Sequence, residues 1–282
     1  MIKLSDFTIS KFSKTLCYDL LKKYGVVIID KWLDSSELKL LESDWKKIRA
    51  LKTNSEINYI SEVGGKNFDY ASYLVSSKNL KKFDTIEAIF KKSEPAKFLN
   101  LIIKKPVNLN AEIYATYDVG SSTNIADSHF DKTWTLKMMI YLNDINEYGD
   151  GAFGVHPCTT DIARDKFRNW FKNNSIDNEM TIGSDNYYKM LNTDEDGIPP
   201  AVDIYGKAGT LIIFSTDCYH RGGFLKKNNI RKIIRGHTYP GKMLSIGDSI
   251  KKGSNHWLRD ENWNFHKSVP KQSFFSKILG YK

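Results

Sequence analysis

The spacing of apolar and polar residues changes about one third of the way along the chain. Before that point, apolar residues recur at helical intervals in Lys11 to Tyr24, in a segment that opens at Leu33, and in Leu80 to Ile102. The β-branched run Val26 to Ile29 predicts a strand after the first helix. Residues 51 to 80 have no sustained period, which predicts mostly loop. The first third is therefore expected to be largely helical.

From Val107 onward the pattern is typical of strands. Residues Asn110 to Tyr117 alternate, and Trp134 to Leu142 form a strong apolar run. Two further runs, Gly209 to Phe214 and Ile230 to Tyr239, predict strands near the end of this region. Helices followed by antiparallel strands favour an α+β fold. We expect a double-stranded β-helix core (a jelly roll, cupin-like) flanked by N-terminal helices.

No internal repeat or linker divides the chain, which predicts a single domain over residues 1–282. We expect a helical N-terminal part (1–106), a jelly-roll core (about 107–240) and a C-terminal tail (241–282). Within the core, Ile162 to Lys172 is interpreted as a helix, and the polar residues 173 to 200 as a loop. The aromatic tail could pack on the core or on another subunit, so the oligomeric state stays open.

Composition and charge narrow the classes of function. With 282 residues, 41% of them hydrophobic and 13% aromatic, the chain can fill a large core, which excludes a disordered protein. The net charge of +9 permits an interaction with nucleic acid. However, the lysines are scattered and no nucleic-acid-binding motif accompanies them. A lysine-rich composition explains the charge better, so a nucleic-acid partner is not expected.

The cysteines and the apolar stretches indicate the cellular compartment in which the protein is expected. Cys17, Cys158 and Cys218 are odd in number and have no paired spacing, which favours free thiols in a reducing cytoplasm. No apolar stretch approaches the roughly 20 residues that span a bilayer. The first residues lack the apolar centre of a signal peptide. We therefore expect a cytoplasmic protein without a membrane span.

Three dispersed residues form a candidate metal site. His129 and Asp131 are two positions apart, so on a strand their side chains would point to the same face. His220 follows an apolar run ninety-one residues later. Two imidazoles and one carboxylate hold the metal of non-haem Fe(II) oxygenases and leave other coordination positions open. Spacing alone leaves a second interpretation open, in which both histidines are ordinary polar residues and Asp131 caps a turn.

Several segments resemble the phytanoyl-CoA dioxygenase family. Leu21 to Leu38 is similar to the opening of that family, and Tyr141 to Ile145 followed by Gly151 to Phe153 resembles its strand after the His-x-Asp motif. Gly209 to Arg231 is similar to its distal histidine and following arginine. The resemblance covers about residues 15 to 240. It departs at Pro157 to Thr160, where the family's Pro-Gly-Ser-His is replaced, so the substrate mouth is expected to be rebuilt.

The resemblance implies a chemistry and a role for each matching residue. It implies that His129, Asp131 and His220 bind Fe(II), with 2-oxoglutarate as cosubstrate and O2 as oxidant. It also implies that Arg231 holds the distal carboxylate of 2-oxoglutarate, a task that suits a planar guanidinium. Halogenating relatives carry a small residue in place of the carboxylate. The presence of Asp131 therefore points to hydroxylation or a related oxidation.

Alternation along the predicted strands adds further candidates. Lys137 falls on the same face as Asp131, and a buried lysine needs an anionic partner, here a carboxylate of 2-oxoglutarate or of the substrate. Arg235 falls on the same face as Arg231 and could bind an anionic group of the substrate. The remaining core histidines are expected to be polar packing residues (His156, His237).

The leading hypothesis is a 2-oxoglutarate-dependent hydroxylase of a small metabolite, with release of succinate and CO2. The sequence leaves open whether that metabolite is anionic or contains a sugar, and which carbon is oxidised. Two alternatives stay open beside it: an oxygenase that acts on nucleic acid or protein, and a non-catalytic jelly-roll binding protein.

Overall fold

The computed structural model describes residues 2–50, 57–61, 69–76, 80–102, 107–120, 122–131, 136–166 and 197–240. All structural statements below concern these residues. Five predictions fall wholly or partly on other residues: the loop predicted at 51 to 80, the first two positions of the strand predicted from Trp134, the second half of the helix predicted to reach Lys172, the loop predicted at 173 to 200, and the C-terminal tail from 241.

The predicted first and second helices are present in the N-terminal part. The α-helices are α1 (Lys14–Tyr24), α2 (Ser35–Ala50), α3 (Asp84–Glu87) and α4 (Glu94–Ile102), with a further helical segment at 160–166. The side chain of Ser13 caps α1 by accepting the backbone N–H of Leu16. The helix ends at Gly25, whose φ of 77° is left-handed. An L-residue there would also bring its Cβ to 2.8 Å from that of Cys218.

The segment from Leu80 to Ile102 is broken where a single helix was expected. After the 3-10 turn Leu80–Lys82, α3 runs into a π-helical turn at Ala88–Lys92. Ser93 then adopts an extended conformation, with φ of −65° and ψ of 157°. Pro95 is the second residue of α4, where a backbone N–H is not needed for helical hydrogen bonding. Proline therefore starts a new helix here.

Within the described ranges, twelve strands form two sheets. The strands are β1 (Thr8–Ile9), β2 (Val26–Ile29), β3 (Ile57–Ser61), β4 (Asp69–Ser76), β5 (Val107–Val119), β6 (Thr123–His129), β7 (Leu136–Tyr141), β8 (Phe153–Val155), β9 (Val202–Ile204), β10 (Leu211–Ser215), β11 (His220–Leu225) and β12 (Ile230–Pro240). The large sheet has the order β1-β2-β10-β7-β12-β5-β4-β3, and the small sheet has the order β6-β11-β8-β9.

The last eight strands form two facing antiparallel sheets. Strands β5, β12, β7 and β10 are neighbours in the large sheet, and the other four make up the small sheet. The pairings within each group are antiparallel. Successive strands cross between the sheets, except β8 and β9, which pair within the small sheet. This arrangement is consistent with the predicted jelly-roll core.

The prediction that residues 51 to 80 are mostly loop does not hold for the part of this segment that the structure describes. Strands β3 and β4 lie in this segment, and β4 pairs with β5 over eight registered positions. Strands β1 and β2 extend the large sheet at its other end, beside β10. The N-terminal part is therefore not only helical. Its strands form because core strands offer unpaired edges, a tertiary effect that local sequence pattern does not record.

Alternation along β7 separates two cores. Met138 and Ile140 pack with the helices on one side of the large sheet, whereas Met139 and Tyr141 pack between the two sheets. Lys137 shares the inner face with Met139 and Tyr141, as predicted. In the described part of the chain, no helix has the length and apolar composition to cross a bilayer.

The hydroxyl of Tyr141 links the two sheets. It donates to the carbonyl of Ile204 at 3.0 Å and accepts the N–H of Phe153 at 3.0 Å. Tyr141 is fully buried, and burial raises the pKa of its phenol well above the usual value. Both sides of the barrel are therefore joined through one neutral hydroxyl group.

Candidate metal centre

The three residues predicted to bind a metal converge at one end of the barrel. His129 is the last residue of β6 and His220 is the first residue of β11, and the two are register partners on adjacent strands. Asp131 lies beyond the end of β6, so the expectation that it shares a strand with His129 was wrong. Its backbone N–H donates instead to the carbonyl of Thr216 at 2.9 Å, which fixes the loop beside His220.

The ligand atoms of these residues are close enough to share one ion. Oδ1 of Asp131 lies 3.6 Å from Nε2 of His129 and 3.4 Å from Nε2 of His220. One potential ligand atom from each residue lies within 4.8 Å of those of the others. Two atoms bound to the same metal at about 2.1 Å are roughly 3 Å apart. The donor set therefore fits a metal ion with small adjustments of the side chains.

Both imidazoles have the tautomer that a metal requires. Nδ1 of His129 is 2.7 Å from the carbonyl of Asp127, and Nδ1 of His220 is 2.8 Å from the carbonyl of Cys218. A carbonyl oxygen only accepts hydrogen bonds, so each Nδ1 carries a proton and each Nε2 is the ring nitrogen left to bind a metal. In each case the acceptor lies two residues before the histidine. These bonds also orient the rings, as is common for histidines that bind metals.

The electrostatics of the cluster favour the forms that bind a cation. Burial lowers the pKa of His129 to about 4, with a further contribution from His220, so this imidazole is neutral at pH 7. Burial alone would raise the pKa of Asp131. The Lys137 ammonium and the two histidines outweigh burial, and the pKa lies well below its usual range. The cluster thus presents a neutral imidazole at His129 and a carboxylate at Asp131.

Lys137 has an anionic partner within the cluster itself. Its Nζ lies 2.6 Å from Oδ2 of Asp131, and only 9% of its side chain is exposed. Lys137 faces the interior as expected, but the carboxylate that it contacts is that of Asp131 and not the predicted one of 2-oxoglutarate or of the substrate. Oδ2 of Asp131 is thereby directed away from the histidines, and Oδ1 is left facing them. The carboxylate is positioned to give a metal one oxygen.

Removing this lysine is expected to make the protein more dependent on metal. In Lys137→Met, Asp131 loses its counter-charge, which should destabilise the metal-free protein by about 2 kcal/mol, the scale of a hydrogen bond between charged groups. A bound cation would restore the compensation and would no longer be repelled by the ammonium. The rise in melting temperature on adding Mn(II) alone should therefore be larger in Lys137→Met than in the wild type.

A surface lysine provides the control for this experiment. Lys207 forms a pair of similar length with Asp144 (2.8 Å), but both side chains are about half exposed. Such exposed pairs contribute little to stability. Lys207→Met should therefore change neither the stability of the metal-free protein nor the rise in melting temperature on adding Mn(II). An equal response to Mn(II) in Lys137→Met and in the wild type would contradict the role given to Lys137.

Arg231 reaches the same interior from the start of β12. Its Nε donates to Oδ2 of Asp118 at 2.8 Å and one terminal nitrogen donates to the carbonyl of Gly151 at 3.1 Å. Arg231 is 4% exposed and Asp118 is fully buried. Sequence reasoning missed Asp118, although Thr116 and Asp118 alternate along β5 and an acid on a buried face needs a cation. Arg231 is held rigidly, with part of its guanidinium facing the cavity.

Of the other predicted residues, one lines the cavity and two contact neighbouring protein groups. Arg235 lines the same cavity, with its guanidinium 5.0 Å from the centre of the Tyr114 ring. His237 is buried and stacks on Tyr114, with the ring centres 4.7 Å apart. His156 bonds to the carbonyl of Pro199 and to the hydroxyl of Ser128, at 2.7 and 2.8 Å. The packing roles expected of these two histidines stay predictions.

The site opens into a cavity of about 280 Å³ between the two sheets. The three candidate ligands, Lys137, Arg231 and Arg235 line it together with apolar and small residues (Thr116, Ile125, Ala126, Met139, Phe153, Phe214, Gly222 and Ile233). Phe153, Phe214 and the ring of His220 contact one another, with ring centres 4.6 to 5.6 Å apart. A largely apolar cavity with a few convergent charged groups is typical of a small-molecule site.

No family model matches the sequence, and no curated protein matches it by sequence. Solved structures do match the fold. The epimerase SnoN, crystallised with Fe3+, alpha-ketoglutarate and nogalamycin RO, is 12% identical, with a TM-score of 0.56 over 80% of this chain and 83% of its own. The alpha-ketoglutarate-dependent carbocyclase SnoK is 14% identical, with a TM-score of 0.56 over 81% and 84%.

HygX from Streptomyces hygroscopicus, with nickel, 2-oxoglutarate and hygromycin B bound, gives a similar result. It is 11% identical, with a TM-score of 0.52 over 80% of this chain and 87% of its own. At such identities the similarity concerns the fold. The chain has the fold of non-haem, 2-oxoglutarate-dependent enzymes, and its His-Asp-His cluster could hold a metal at one end of the barrel.

Proposed function

We propose that the protein is an Fe(II)- and 2-oxoglutarate-dependent dioxygenase that hydroxylates a C–H bond of a small molecule. One observation supports this most strongly. Two Nε2 lone pairs and one carboxylate oxygen, from His129, His220 and Asp131, converge at the end of a cavity between two sheets. This is the donor set of non-haem iron oxygenases. The resemblance to the phytanoyl-CoA dioxygenase family supports the same assignment.

Six of the residues that line the cavity have a task in this proposal. His129, Asp131 and His220 would hold Fe(II), and the bound metal would supply the O2 chemistry that couples hydroxylation of the substrate to conversion of 2-oxoglutarate into succinate and CO2. The part of the Arg231 guanidinium that faces the cavity binds the distal carboxylate of 2-oxoglutarate. Asp118 and Gly151 fix that guanidinium before the cosubstrate arrives. Phe153 and Phe214 exclude water from the oxidised carbon.

The solved structures support a small-molecule substrate. SnoN and HygX were crystallised with nogalamycin RO and hygromycin B, respectively, as well as with a metal and 2-oxoglutarate. The cavity has room for a cosubstrate and a small organic group. In a non-catalytic jelly-roll binding protein the same three ligands would hold a structural metal or none, and no succinate would form from 2-oxoglutarate and O2. An oxygenase of nucleic acid or protein has only the net charge in its favour.

A binding experiment tests the proposal without knowledge of the substrate. Under nitrogen, 2-oxoglutarate should bind the Fe(II)-loaded protein and should bind the metal-free protein at least about 10-fold more weakly, because the keto acid is a bidentate ligand of the metal. His220→Ala should remove this difference. Equal binding of 2-oxoglutarate with and without metal would reject the proposal. With O2 present, a screen for compounds that stimulate succinate formation then identifies the substrate, and polyanionic DNA or RNA among the hits would favour the nucleic-acid alternative.

A further inference from the structure

The three cations that line the cavity are not equally compensated. Lys137 pairs with Asp131 at 2.6 Å, and Arg231 pairs with Asp118 at 2.8 Å. Among the described residues, Arg235 is within ion-pair distance of no carboxylate, and its buried Nε has no hydrogen-bond partner. Its recorded contact is with the ring of Tyr114, 5.0 Å away. The uncompensated positive charge of the cavity is therefore that of Arg235.

The surroundings of Arg235 prepare it to receive a ligand. A guanidinium that lies over an aromatic ring is held in place by the cation–π interaction, while its N–H groups remain available at the edge. The register of β12 places Arg235 between Tyr114 on β5 and Met139 on β7. A buried donor without a partner is costly to a protein unless a ligand satisfies it. An anionic group suits both the charge and the fork of donors.

The position of Arg235 separates it from the site given to 2-oxoglutarate. Arg231 and Arg235 lie on the same face of β12, four residues apart, which corresponds to about 13 Å along a strand. Register pairs β12 with β7 so that His237 is opposite Lys137, and Arg235 is opposite Met139. Arg235 thus lies closer along the strand to the metal end than Arg231 does. The cavity offers two separate positions for anions.

We propose that Arg235 binds a negatively charged group of the substrate, a carboxylate, phosphate or sulfate, and that the substrate is therefore an organic acid or acid ester. This inference rests on the proposed function for the identity of the occupant. The distal carboxylate of 2-oxoglutarate shares the same chemistry and is the competing source. In that case Arg235, rather than Arg231, would anchor the cosubstrate.

Two binding experiments on the full-length protein distinguish these sources. The first titrates the metal-free protein with inorganic phosphate, with benzoate and with its neutral counterpart benzamide, at constant ionic strength. Arg235→Gln should lower the affinity for phosphate and for benzoate at least 10-fold, and Arg235→Lys should lower it less. Benzamide should bind poorly to every variant. Unchanged binding of the anions in Arg235→Gln, or equal binding of benzamide and benzoate, would overturn the proposal.

The second experiment titrates the Mn(II)-loaded protein with 2-oxoglutarate. Arg235→Gln should change its affinity less than 2-fold, and a loss of 10-fold or more would assign Arg235 to the cosubstrate and overturn the proposal. Lys232→Gln is the control in both experiments. It removes one charge from the same strand on the opposite face, where Lys232 lies near Trp45. If the wild type binds benzoate through Arg235 but binds no 2-oxoglutarate, the proposed function fails while the anion site stands.

Discussion

Replacing Asp131 with alanine is expected to lower the affinity for Mn(II) or Fe(II) by at least about 100-fold and to abolish turnover. Changes to residues that only orient metal ligands cost about 10–100-fold, and loss of a charged ligand should exceed this range. Oδ1 of Asp131 is the anionic atom that faces both histidine Nε2 atoms. Calorimetric titration with the metal alone measures the affinity, and succinate formation measures turnover.

Two further variants make this result specific. Asp127→Ala removes an exposed carboxylate four residues away, whereas the backbone carbonyl of Asp127 still orients His129. Metal affinity should then be unchanged. Asp131→Ala also leaves Lys137 without its recorded anion, so the double variant Asp131→Ala/Lys137→Met should recover stability but no metal binding. Metal binding in Asp131→Ala within a few-fold of the wild type would exclude the carboxylate as a ligand.

Replacing Arg231 is expected to damage both the fold and the cosubstrate site. Arg231→Met leaves the fully buried Asp118 without a counter-charge, and breaking a buried ion pair in this way costs about 3–5 kcal/mol. The same change removes the guanidinium proposed to bind 2-oxoglutarate. The affinity of the protein for 2-oxoglutarate should fall by about 100-fold, since hydrogen bonds to charged groups contribute about 1.5–3 kcal/mol each. Denaturant unfolding and 2-oxoglutarate titration measure the two losses.

A second variant separates the two effects. In Arg231→Met/Asp118→Asn no charge is left unpaired, so most of the lost stability should return. The weak binding of 2-oxoglutarate should remain, because the guanidinium is still absent. Recovery of 2-oxoglutarate affinity along with stability would mean that Arg231 supports only the fold, and that another cation binds the cosubstrate.

The sequence predicted the parts of the fold that have a strong local period. The helix that ends at Gly25 and the strands around Met139 and Ile212 lie where the pattern places them, because helical spacing and alternation reflect which face is buried. Alternation also placed Lys137 and Arg235 on the inner face. The joining of His129 and His220, ninety-one residues apart, was proposed from residue type and position with a second interpretation left open, and the family resemblance then favoured it.

Other features depend on tertiary contacts and were not predictable in this way. Strands β3 and β4 form at an edge that β5 provides, and Asp131 lies in a loop held by Thr216. The partners of the cavity cations were also hidden. Lys137 meets Asp131 and Arg231 meets Asp118, and in each case the partner comes from a different strand or loop. Ion pairs between different strands or loops of a barrel have no characteristic residue spacing, so the sequence does not reveal them.

The Tyr141 hydroxyl stiffens one end of the barrel, and the candidate metal cluster lies at the other end. Pulling β7 from β8 and β9 would break two buried hydrogen bonds at once, each worth about 1 kcal/mol. Tyr141 lies four residues along β7 from Lys137, roughly 13 Å from the metal end. Transient opening of the barrel should therefore be least frequent at the end that holds Tyr141. Backbone amide hydrogen exchange should be slowest there.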